Sequence, residues 1–489
     1  MTRPNIVFVF ADQLRSHELG CYGNDQIRTP NMDRLAAEGV RFTNAISTHP
    51  VCGPYRGMLM TGNWPMKNGM VLTDHVLRSP APCFAEVCQA AGYTTGYVGK
   101  WHLDGHGRES CIPPERRLGF EYWRAFECTH KYFESKYYHQ DETEPRTWPD
   151  YDAISQTQEA CDYIRQQHTD PFCLFLSWGA PHDPHIAPPE YMARFADGKL
   201  KFRDNVNDFK TAESLWGDSD TVLPSRFKEL RESRQEALED RDNRVVRQWY
   251  QGYYAAIELL DDCLGELLDT LEKTGQLDNT IVVLTSDHGD NLGSHRQMDK
   301  QLPFEESISI PFLARYPGKI PPGMVTDALF APVDVMPTVL ALADIPCHDV
   351  DGFDFYPAAT GVGGEPRDAV LIQKCIALSY NWITNGNGPW CGVRTKRHTY
   401  ARLANSGKPW MLYDNETDPY QLNNLIGNPD FAHLQKTLDE RTDALLKATG
   451  ETDDPLVYAE LIQKERSALG FSDRWNELNP ERCQPMSAG

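Results

Sequence analysis

The amino-acid sequence predicts an α/β protein with a large, mainly parallel central sheet flanked by helices. In its first two-thirds, short apolar runs alternate with amphipathic stretches, the pattern of a parallel sheet covered by helices. Buried strands are predicted over residues 5–11, 94–99, 172–177 and 280–285. Further along, β-rich pieces precede two helical stretches, so a smaller C-terminal subdomain of antiparallel sheet and helices is expected.

Helices are predicted from capping residues and from apolar residues at helical spacing. Residues 29–39 begin with Thr-Pro and end with Gly, and residues 84–91 form a second short helix. The longest periodic pattern covers residues 246–271 and stops at Gly275. In the C-terminal part we predict strands within 392–403 and 410–413, and helices over 429–447 and 455–466.

These patterns divide the chain into two predicted regions. Residues 1–360 form the α/β domain, and residues 361–489 form the C-terminal subdomain. Residues 197–245 are rich in charge and lack core signals, so we expect a charged insertion on the surface of the first domain.

The charge balance restricts the partners of the protein. With 48 Lys+Arg against 70 Asp+Glu, the formal net charge of −22 argues against nucleic acid. An anionic substrate would need local positive charge from a metal and a few basic side chains.

The thirteen cysteines are scattered, with no pair at zinc-like spacing, and most are expected to be buried apolar residues. No apolar run approaches transmembrane length, and the run at residues 5–10 is too short for a secretory signal. We therefore expect no membrane partner. The chain as it stands predicts a cytoplasmic protein, or a periplasmic or secreted one if a leader peptide once preceded it.

Polar residues follow two of the predicted strands. Asp12 and Gln13 come after the first strand, and Asp287 and His288 come after the strand at 280–285. Ligands of open α/β sheets gather beyond the carboxyl ends of the strands, so these residues predict a divalent-metal site to which Gln13 gives a carbonyl oxygen. For Asp12 alone, a strand-end cap is the alternative.

Residues 49–62 contain Cys-x-Pro-x-Arg at Cys52, Pro54 and Arg56. Pro54 suits the first turn of a helix, which places Cys52 just before a helix N-terminus, where an anion is favoured. Arg56 adds a planar fork of donors that suits a tetrahedral oxyanion. A buried structural thiol is the alternative for Cys52.

Three further basic segments carry candidate site residues. Gly-Lys-Trp-His directly follows a strand, and Lys100 and His102 lie on the same side if the strand geometry continues. His182 follows the strand at 172–177, while His185 is a weaker candidate for a loop or substrate-side residue. Taken singly, these side chains and Lys300 have ordinary structural or solvated alternatives.

Together these segments resemble the type I sulfatases, the formylglycine-dependent members of the alkaline-phosphatase-like superfamily. Five segments from Asp12 to Lys300 follow the order of that family, and residues 412–420 resemble a late family element. The resemblance implies an alkaline-phosphatase-like fold, with residues 1–360 as the catalytic domain.

The resemblance also implies the cofactors. A formylglycine-generating maturation enzyme would oxidise Cys52, and the hydrated aldehyde would be the nucleophile. Asp12, Gln13, Asp287 and His288 would bind Ca2+ together with the modified Cys52. Gln13 stands where the family more often has a second Asp, which with His288 keeps Mn2+ or Mg2+ open.

The same resemblance implies a catalytic role for each basic residue. Arg56, Lys100 and His102 would hold the hydrated aldehyde. Lys100 and Lys300 would neutralise the sulfate oxygens. His182 would protonate the departing alcohol, and His102 would take a proton when sulfate is released.

The implied activity is hydrolysis of a sulfate ester, with a carbohydrate favoured over a small aryl or alkyl sulfate. A phosphonate monoester or phosphodiester hydrolase is the nearest alternative, and a non-catalytic glycan-binding relative is a more distant one. Tyr55 replaces the usual Ser or Ala of the family motif, which is expected to bear on the substrate class. Aromatic residues within 103–150 are expected either to face a sugar or to pack in the core: Trp123, Tyr132, Tyr137, Tyr138 and Trp148.

Overall fold

The computed structural model describes residues 3–166, 168–196, 199–208, 210–211, 240–374, 389–404 and 406–468. None of the helices in these ranges combines the length and the apolar character needed to span a lipid bilayer.

A ten-stranded sheet in the order β10-β2-β9-β8-β1-β7-β3-β4-β5-β6 forms the centre of the molecule. The four strands β8, β1, β7 and β3 run parallel, as do β3 with β4 and β10 with β2, while the remaining pairs are antiparallel. The strands are β1 Asn5–Asp12, β2 Val40–Ala45, β3 Thr94–Lys100, β4 Tyr122–Phe126, β5 Lys136–His139, β6 Arg146–Thr147, β7 Phe172–Pro181, β8 Thr280–Ser286, β9 Phe312–Arg315 and β10 Met324–Phe330.

Strand β1 lies in the middle of this sheet, and all eight of its residues are buried. Phe8 pairs with Phe175 of β7 on one side and with Val283 of β8 on the other. Because helices cover both faces, the strand is almost continuously apolar rather than alternating. The predicted mainly parallel sheet is therefore confirmed.

Helices on the two faces of the sheet enclose two hydrophobic clusters. One cluster packs the longest helix and its neighbours against Val7 and Val9, and the other packs α2, α3 and α6 against Ile6, Phe8 and Phe10. The helices are α1 Pro30–Glu38, α2 Cys52–Thr61, α3 Phe84–Ala90, α4 Asp152–Arg165, α5 Arg244–Lys273, α6 Pro332–Leu342, α7 Ala432–Thr449 and α8 Pro455–Ala468, with single turns at Pro65–Asn68, Pro189–Met192, Glu305–Ile308 and Tyr356–Thr360.

A second, four-stranded antiparallel sheet follows, with α7 packed against it. Its strands are β11 Ala369–Lys374, β12 Trp390–Thr395, β13 His398–Leu403 and β14 Pro409–Asp414. This is the C-terminal sheet and helix arrangement expected from the sequence. An apolar cluster that includes Met58, Phe304 and Trp390 connects it to the first sheet. The boundary at residue 360 stays a prediction.

The predicted insertion over residues 197–245 is partly wrong. Residues 212–239 lie outside the described part of the chain, but Asn205 and Val206 are buried. The Asn205 amide donates to Glu306 at 2.7 Å and to the carbonyl of Tyr420 at 3.0 Å, so this end of the segment is packed between the two sheets' loops. Local charge density gave no indication of these long-range contacts.

Candidate active site

The carboxyl ends of four neighbouring parallel strands bring the predicted site residues together. Asp12 is the last residue of β1, and Asp287 follows the last residue of β8. Lys100 ends β3, and His182 follows the last residue of β7. Because β8, β1, β7 and β3 run parallel, these ends share one edge of the sheet.

Cys52 is the first residue of α2, so the helix begins one residue earlier than the sequence predicts, and Cys52 is 4% exposed. Its Sγ lies 3.1 Å from Nε2 of His288, 3.5 Å from Oδ1 of Asp12 and 4.0 Å from Nζ of Lys100. Burial and Asp12 would raise the pKa of the thiol, but Lys100, Lys300 and His288 outweigh them and lower it well below its ordinary value. The surroundings therefore favour negative charge at this position.

Four buried side chains converge as ligands of a metal would. One atom from each of Asp12, Cys52, Asp287 and His288 lies within 4.8 Å of the other three. Nδ1 of His288 donates to the carbonyl of Gly289 at 3.0 Å, and Nε2 is therefore the ring nitrogen that faces the cluster. Two carboxylates and an imidazole fit a divalent cation.

The charge within this cluster also fits a cation. Burial and the neighbouring Asp12 raise the pKa of Asp287, because two carboxylates share one buried site. A divalent cation between them would remove this repulsion.

Gln13 lies beside the cluster, with its amide held by other residues. Its backbone N–H donates to Oδ1 of Asp287 at 3.0 Å, and Nε2 donates to Oδ2 of Asp290 at 2.7 Å. Its carbonyl oxygen accepts a hydrogen bond from Lys300. Ligation of a metal by that oxygen stays a prediction.

Arg56 lies beneath the cluster and holds its ligands in place. Nε and Nη2 contact Asp287 at 3.2 and 3.1 Å, and Nη1 donates to the carbonyl of Lys100 at 2.7 Å and to Ser177 Oγ at 2.9 Å. The protein itself occupies Nε and Nη1, and the role of Arg56 toward an oxyanion stays a prediction.

Lys100 and His102 do not continue one strand. β3 ends at Lys100, and His102 has a left-handed φ of 61°. The Lys100 ammonium binds Asp12, whereas Nε2 of His102 lies 3.1 Å from Asp74 Oδ1. His102 also lies beside the thiol of Cys128. Both residues still line the site. His102 does so because the backbone turns at this residue, and not because side chains alternate along a strand.

His182 and Lys300 meet at the mouth of the site. Nζ of Lys300 is 2.5 Å from Nε2 of His182, whose Nδ1 donates to the carbonyl of Asp183 at 2.9 Å. Burial and Lys300 would lower the pKa of His182, but Asp183 and Asp12 outweigh them and raise it to about 9. Positive charge on both groups at this distance is unfavourable, so an anion bound beside them would stabilise the pair.

The sequence also suggested roles for His185, for Tyr55 and for aromatic residues within 103–150, and the structure places these side chains in the interior. Nδ1 of His185 donates to the carbonyl of Pro181 at 3.1 Å, and Nε2 lies 3.5 Å from Oδ2 of Asp290, so the ring faces the protein rather than a substrate. Tyr55 is 1% exposed within the apolar cluster of the α2 face, which contradicts a role in substrate selection. Of the two alternatives for the aromatic residues, core packing is the one observed: Trp123, Tyr132, Tyr137, Tyr138 and Trp148 are all buried.

Several residues near Cys52 could not be identified as site residues from the sequence. His130 stacks on His182 with ring centroids 4.0 Å apart, and Cys128 lies between His130 and His102. Asp74 and Arg108 form an ion pair at the rim. These residues stand in irregular segments without a recognisable pattern, and only the folded chain brings them to the site.

A buried cluster of metal-ligand type, a thiol of lowered pKa and converging basic side chains fit a metal-dependent hydrolase of an oxyanion ester. A family model described as sulfatase matches residues 4–345, and one described as N-sulphoglucosamine sulphohydrolase, C-terminal, matches residues 293–448. The chain belongs to the type I sulfatase family and is a sulfuric ester hydrolase.

Three known proteins illustrate the similarity. An ulvan-active sulfatase from Formosa agariphila is 36% identical over 457 residues, which covers 92% of this chain and 82% of the relative. A solved structure in complex with its substrate D-glucosamine-2-N,6-O-disulfate has a TM-score of 0.79 at 27% identity, covering 93% of this chain and 100% of that one. The phosphonate monoester hydrolase of Agrobacterium radiobacter, at 21% identity, a TM-score of 0.73 and coverages of 91% and 96%, shows the shared fold alone.

Proposed function

We propose that this sulfatase hydrolyses a sulfate ester on a carbohydrate, with a formylglycine derived from Cys52 and a divalent cation, first of all Ca2+. The observation that carries the proposal is the convergence of Lys100, Lys300 and His182 above a buried cluster of metal-ligand type. The carbohydrate is supported by two similar proteins, one described as ulvan-active and one bound to a sulfated glucosamine.

Asp12, Asp287 and His288 would hold the cation next to residue 52, with Gln13 as a further candidate. When bound, the cation would stabilise negative charge on the nucleophile and the sulfate oxygens. The formylglycine would supply a hydroxyl nucleophile that a formylglycine-generating maturation enzyme must first create from the thiol.

The chain's own residues divide the remaining chemistry. Lys100 and Lys300 would neutralise the sulfate oxygens as charge develops in the transition state. His182, whose pKa is about 9, is protonated at neutral pH and would donate its proton to the departing alcohol. His102, beside Asp74, would accept a proton when sulfate leaves.

Mass spectrometry of the peptide that contains Cys52 tests the nucleophile. We expect the aldehyde in active enzyme, and an unmodified thiol in fully active enzyme would refute the proposal. Cys52→Ser should stall as a covalent sulfate ester because serine lacks a second hydroxyl, and Cys52→Ala should be inactive from the first turnover.

A panel of defined sulfated mono- and oligosaccharides, with 4-nitrophenyl sulfate and an aryl phosphonate ester beside them, tests the substrate class. We expect the highest kcat/KM on a sugar sulfate. Preference for the phosphonate ester would instead favour the phosphonate monoester hydrolase alternative, which shares the fold.

A further inference from the structure

We propose that Asp74 and Arg108 bind the alcohol half of the substrate by recognising two neighbouring oxygens of a sugar ring. This inference rests on the proposed carbohydrate sulfatase function and names the residues that would select the sugar.

The position of the pair is the first argument. Lys100, His102, His182 and Lys300 are buried, whereas the side chains of Asp74 and Arg108 are 44% and 51% exposed. Because the sulfate would occupy the buried part, the rest of the substrate must extend toward the exposed rim.

The distance of the pair from the chemistry is the second argument. Oδ1 of Asp74 lies 3.1 Å from Nε2 of His102, so only one side chain separates it from the reacting groups. Burial would lower the pKa of Arg108, but Cys128, Asp74 and Cys52 raise it, which puts the guanidinium within electrostatic range of the nucleophile position. A sugar attached to the sulfate would span this distance.

The pair is also held in a fixed geometry. Arg108 donates to Asp74 through Nε at 3.0 Å and through Nη2 at 2.9 Å, and its own backbone carbonyl accepts from the N–H of Cys128 at 3.2 Å. Asp74 has a left-handed φ of 61°, a conformation that costs free energy and is more common at functional sites. Two planar groups fixed in this way present hydrogen-bonding atoms at a defined spacing.

The charge of the pair decides the kind of ligand. Asp74 already neutralises Arg108, and the chain carries a net charge of −22, so a carboxylate on the substrate would gain little here. Nη1 of Arg108 has no hydrogen-bond partner among the described residues, and Oδ2 of Asp74 accepts only from Arg108. One free donor next to one free acceptor suits adjacent hydroxyl groups.

The test compares Arg108→Gln and Arg108→Lys with wild type on two substrates: the best sugar sulfate of the panel and 4-nitrophenyl sulfate, which has no hydroxyl groups. We expect kcat/KM for the sugar sulfate to fall about tenfold or more beyond any fall for the aryl sulfate, mainly through KM. Lysine should not rescue this selectivity, because it lacks the planar fork. Arg146→Gln is the matched control, since Arg146, on β6 at the far edge of the sheet, makes the same two-pronged contact with Glu142.

A deoxy analogue of the sugar sulfate provides a second arm. If Arg108 binds the missing hydroxyl, Arg108→Gln and the deoxy substitution should together lower kcat/KM no more than either alone.

Equal losses of kcat/KM on the sugar and aryl substrates, or fully additive losses, would overturn the inference while leaving the carbohydrate activity intact. A loss confined to sugars with a carboxylate would overturn the assignment to hydroxyl groups. Wild-type enzyme that hydrolyses aryl sulfates but no sugar sulfate would overturn the proposed function and this inference with it.

Discussion

His182 lies between the carboxylate of Asp183 and the ammonium of Lys300, and this position sets the pH at which it can donate a proton. Burial and Lys300 would lower the pKa of His182, but Asp183 and Asp12 raise it by more, so the pKa is about 9. Since a general acid must be protonated in the free enzyme, kcat/KM should be maintained at neutral pH and should fall as the pH rises through about 9.

Asp183→Asn should move this alkaline limb toward neutral pH. The substitution removes the carboxylate that raises the pKa, so burial and Lys300 then dominate and His182 loses its proton at lower pH. The pH profile of kcat/KM for wild type and variant measures the shift. Asp162→Asn, at an exposed ion pair with Arg165, is the control, and an unmoved limb in the Asp183 variant would exclude His182 as the titrating acid.

The proposed metal ligands predict a rise in melting temperature on Ca2+ binding that does not depend on turnover. Asp12 and Asp287 repel each other at the buried cluster, so a bound cation should stabilise the folded protein. After chelation, we expect Tm and activity to fall, and Ca2+ to restore both. Asp287→Asn should need a higher Ca2+ concentration for the same rise in Tm, since it supplies a weaker ligand. Equal Ca2+ dependence in the two proteins would exclude Asp287 as a ligand.

Individual site residues were predictable to the extent that they stand in recognisable segments. Asp12, Cys52, Asp287 and His288 come together as expected because each follows a strand or begins a helix at one sheet edge. The contacts of Arg56 were not predictable, because they depend on the depth of α2 below the strand ends.

Among the structural elements, the end of β3 shows most directly how backbone geometry positions Lys100, a candidate catalytic residue. Gly99 has a φ of 106°, and a Cβ at this position would lie 2.0 Å from the carbonyl oxygen of Ser177 on β7. This close approach lets the chain turn directly before Lys100 while the two strands remain paired.

Gly99→Ala should therefore destabilise the protein by about 2 kcal/mol or more and should reduce kcat by displacing Lys100. Urea unfolding and steady-state kinetics measure the two effects. Gly364→Ala is the matched control, because a Cβ there meets nothing within 4 Å, and its free energy of unfolding should stay within about 0.5 kcal/mol of wild type. Similar behaviour of the two variants would contradict this account of Gly99.

The long apolar strands β1, β7 and β8 were predicted, and β2 and β10 of the same sheet were not. β1, β7 and β8 are apolar runs buried along their whole length, so composition alone indicated them. β2 and β10 carry polar residues among buried ones, and their pairing with each other and with β9 is what stabilises them. Such long-range pairing leaves little trace in a local sequence pattern.

At the scale of the whole molecule, the second sheet supports the segment that carries Lys300. Arg394 of β12 binds Glu305 through two contacts of 2.7 and 3.0 Å, and the indole N–H of Trp390 donates to the carbonyl of Gln301 at 2.9 Å. The C-terminal region therefore stabilises part of the active site as well as adding to the core.

Arg394→Met should destabilise the protein by about 3 to 5 kcal/mol, because it leaves the buried carboxylate of Glu305 without its partner. Chemical unfolding measures this change. The double variant Arg394→Met with Glu305→Leu should recover part of the loss, since no unpaired charge then remains buried.

Arg441→Met provides the control within the same region. Arg441 pairs with Asp368 at the surface, and such exposed pairs contribute about 1 kcal/mol or less. A loss in Arg441→Met as large as that in Arg394→Met would show that burial is not what makes the Arg394 pair important.

The burial of Cys52 also bears on whether the proposed oxidation of its thiol comes before or after folding. With its side chain under the strand ends and α2 buried along its length, the folded protein gives a second macromolecule no access to the thiol. If a maturation enzyme oxidises Cys52 as proposed, it would have to act before the chain folds around this residue. Molecules that fold first would then keep the thiol and would be inactive copies of the same structure.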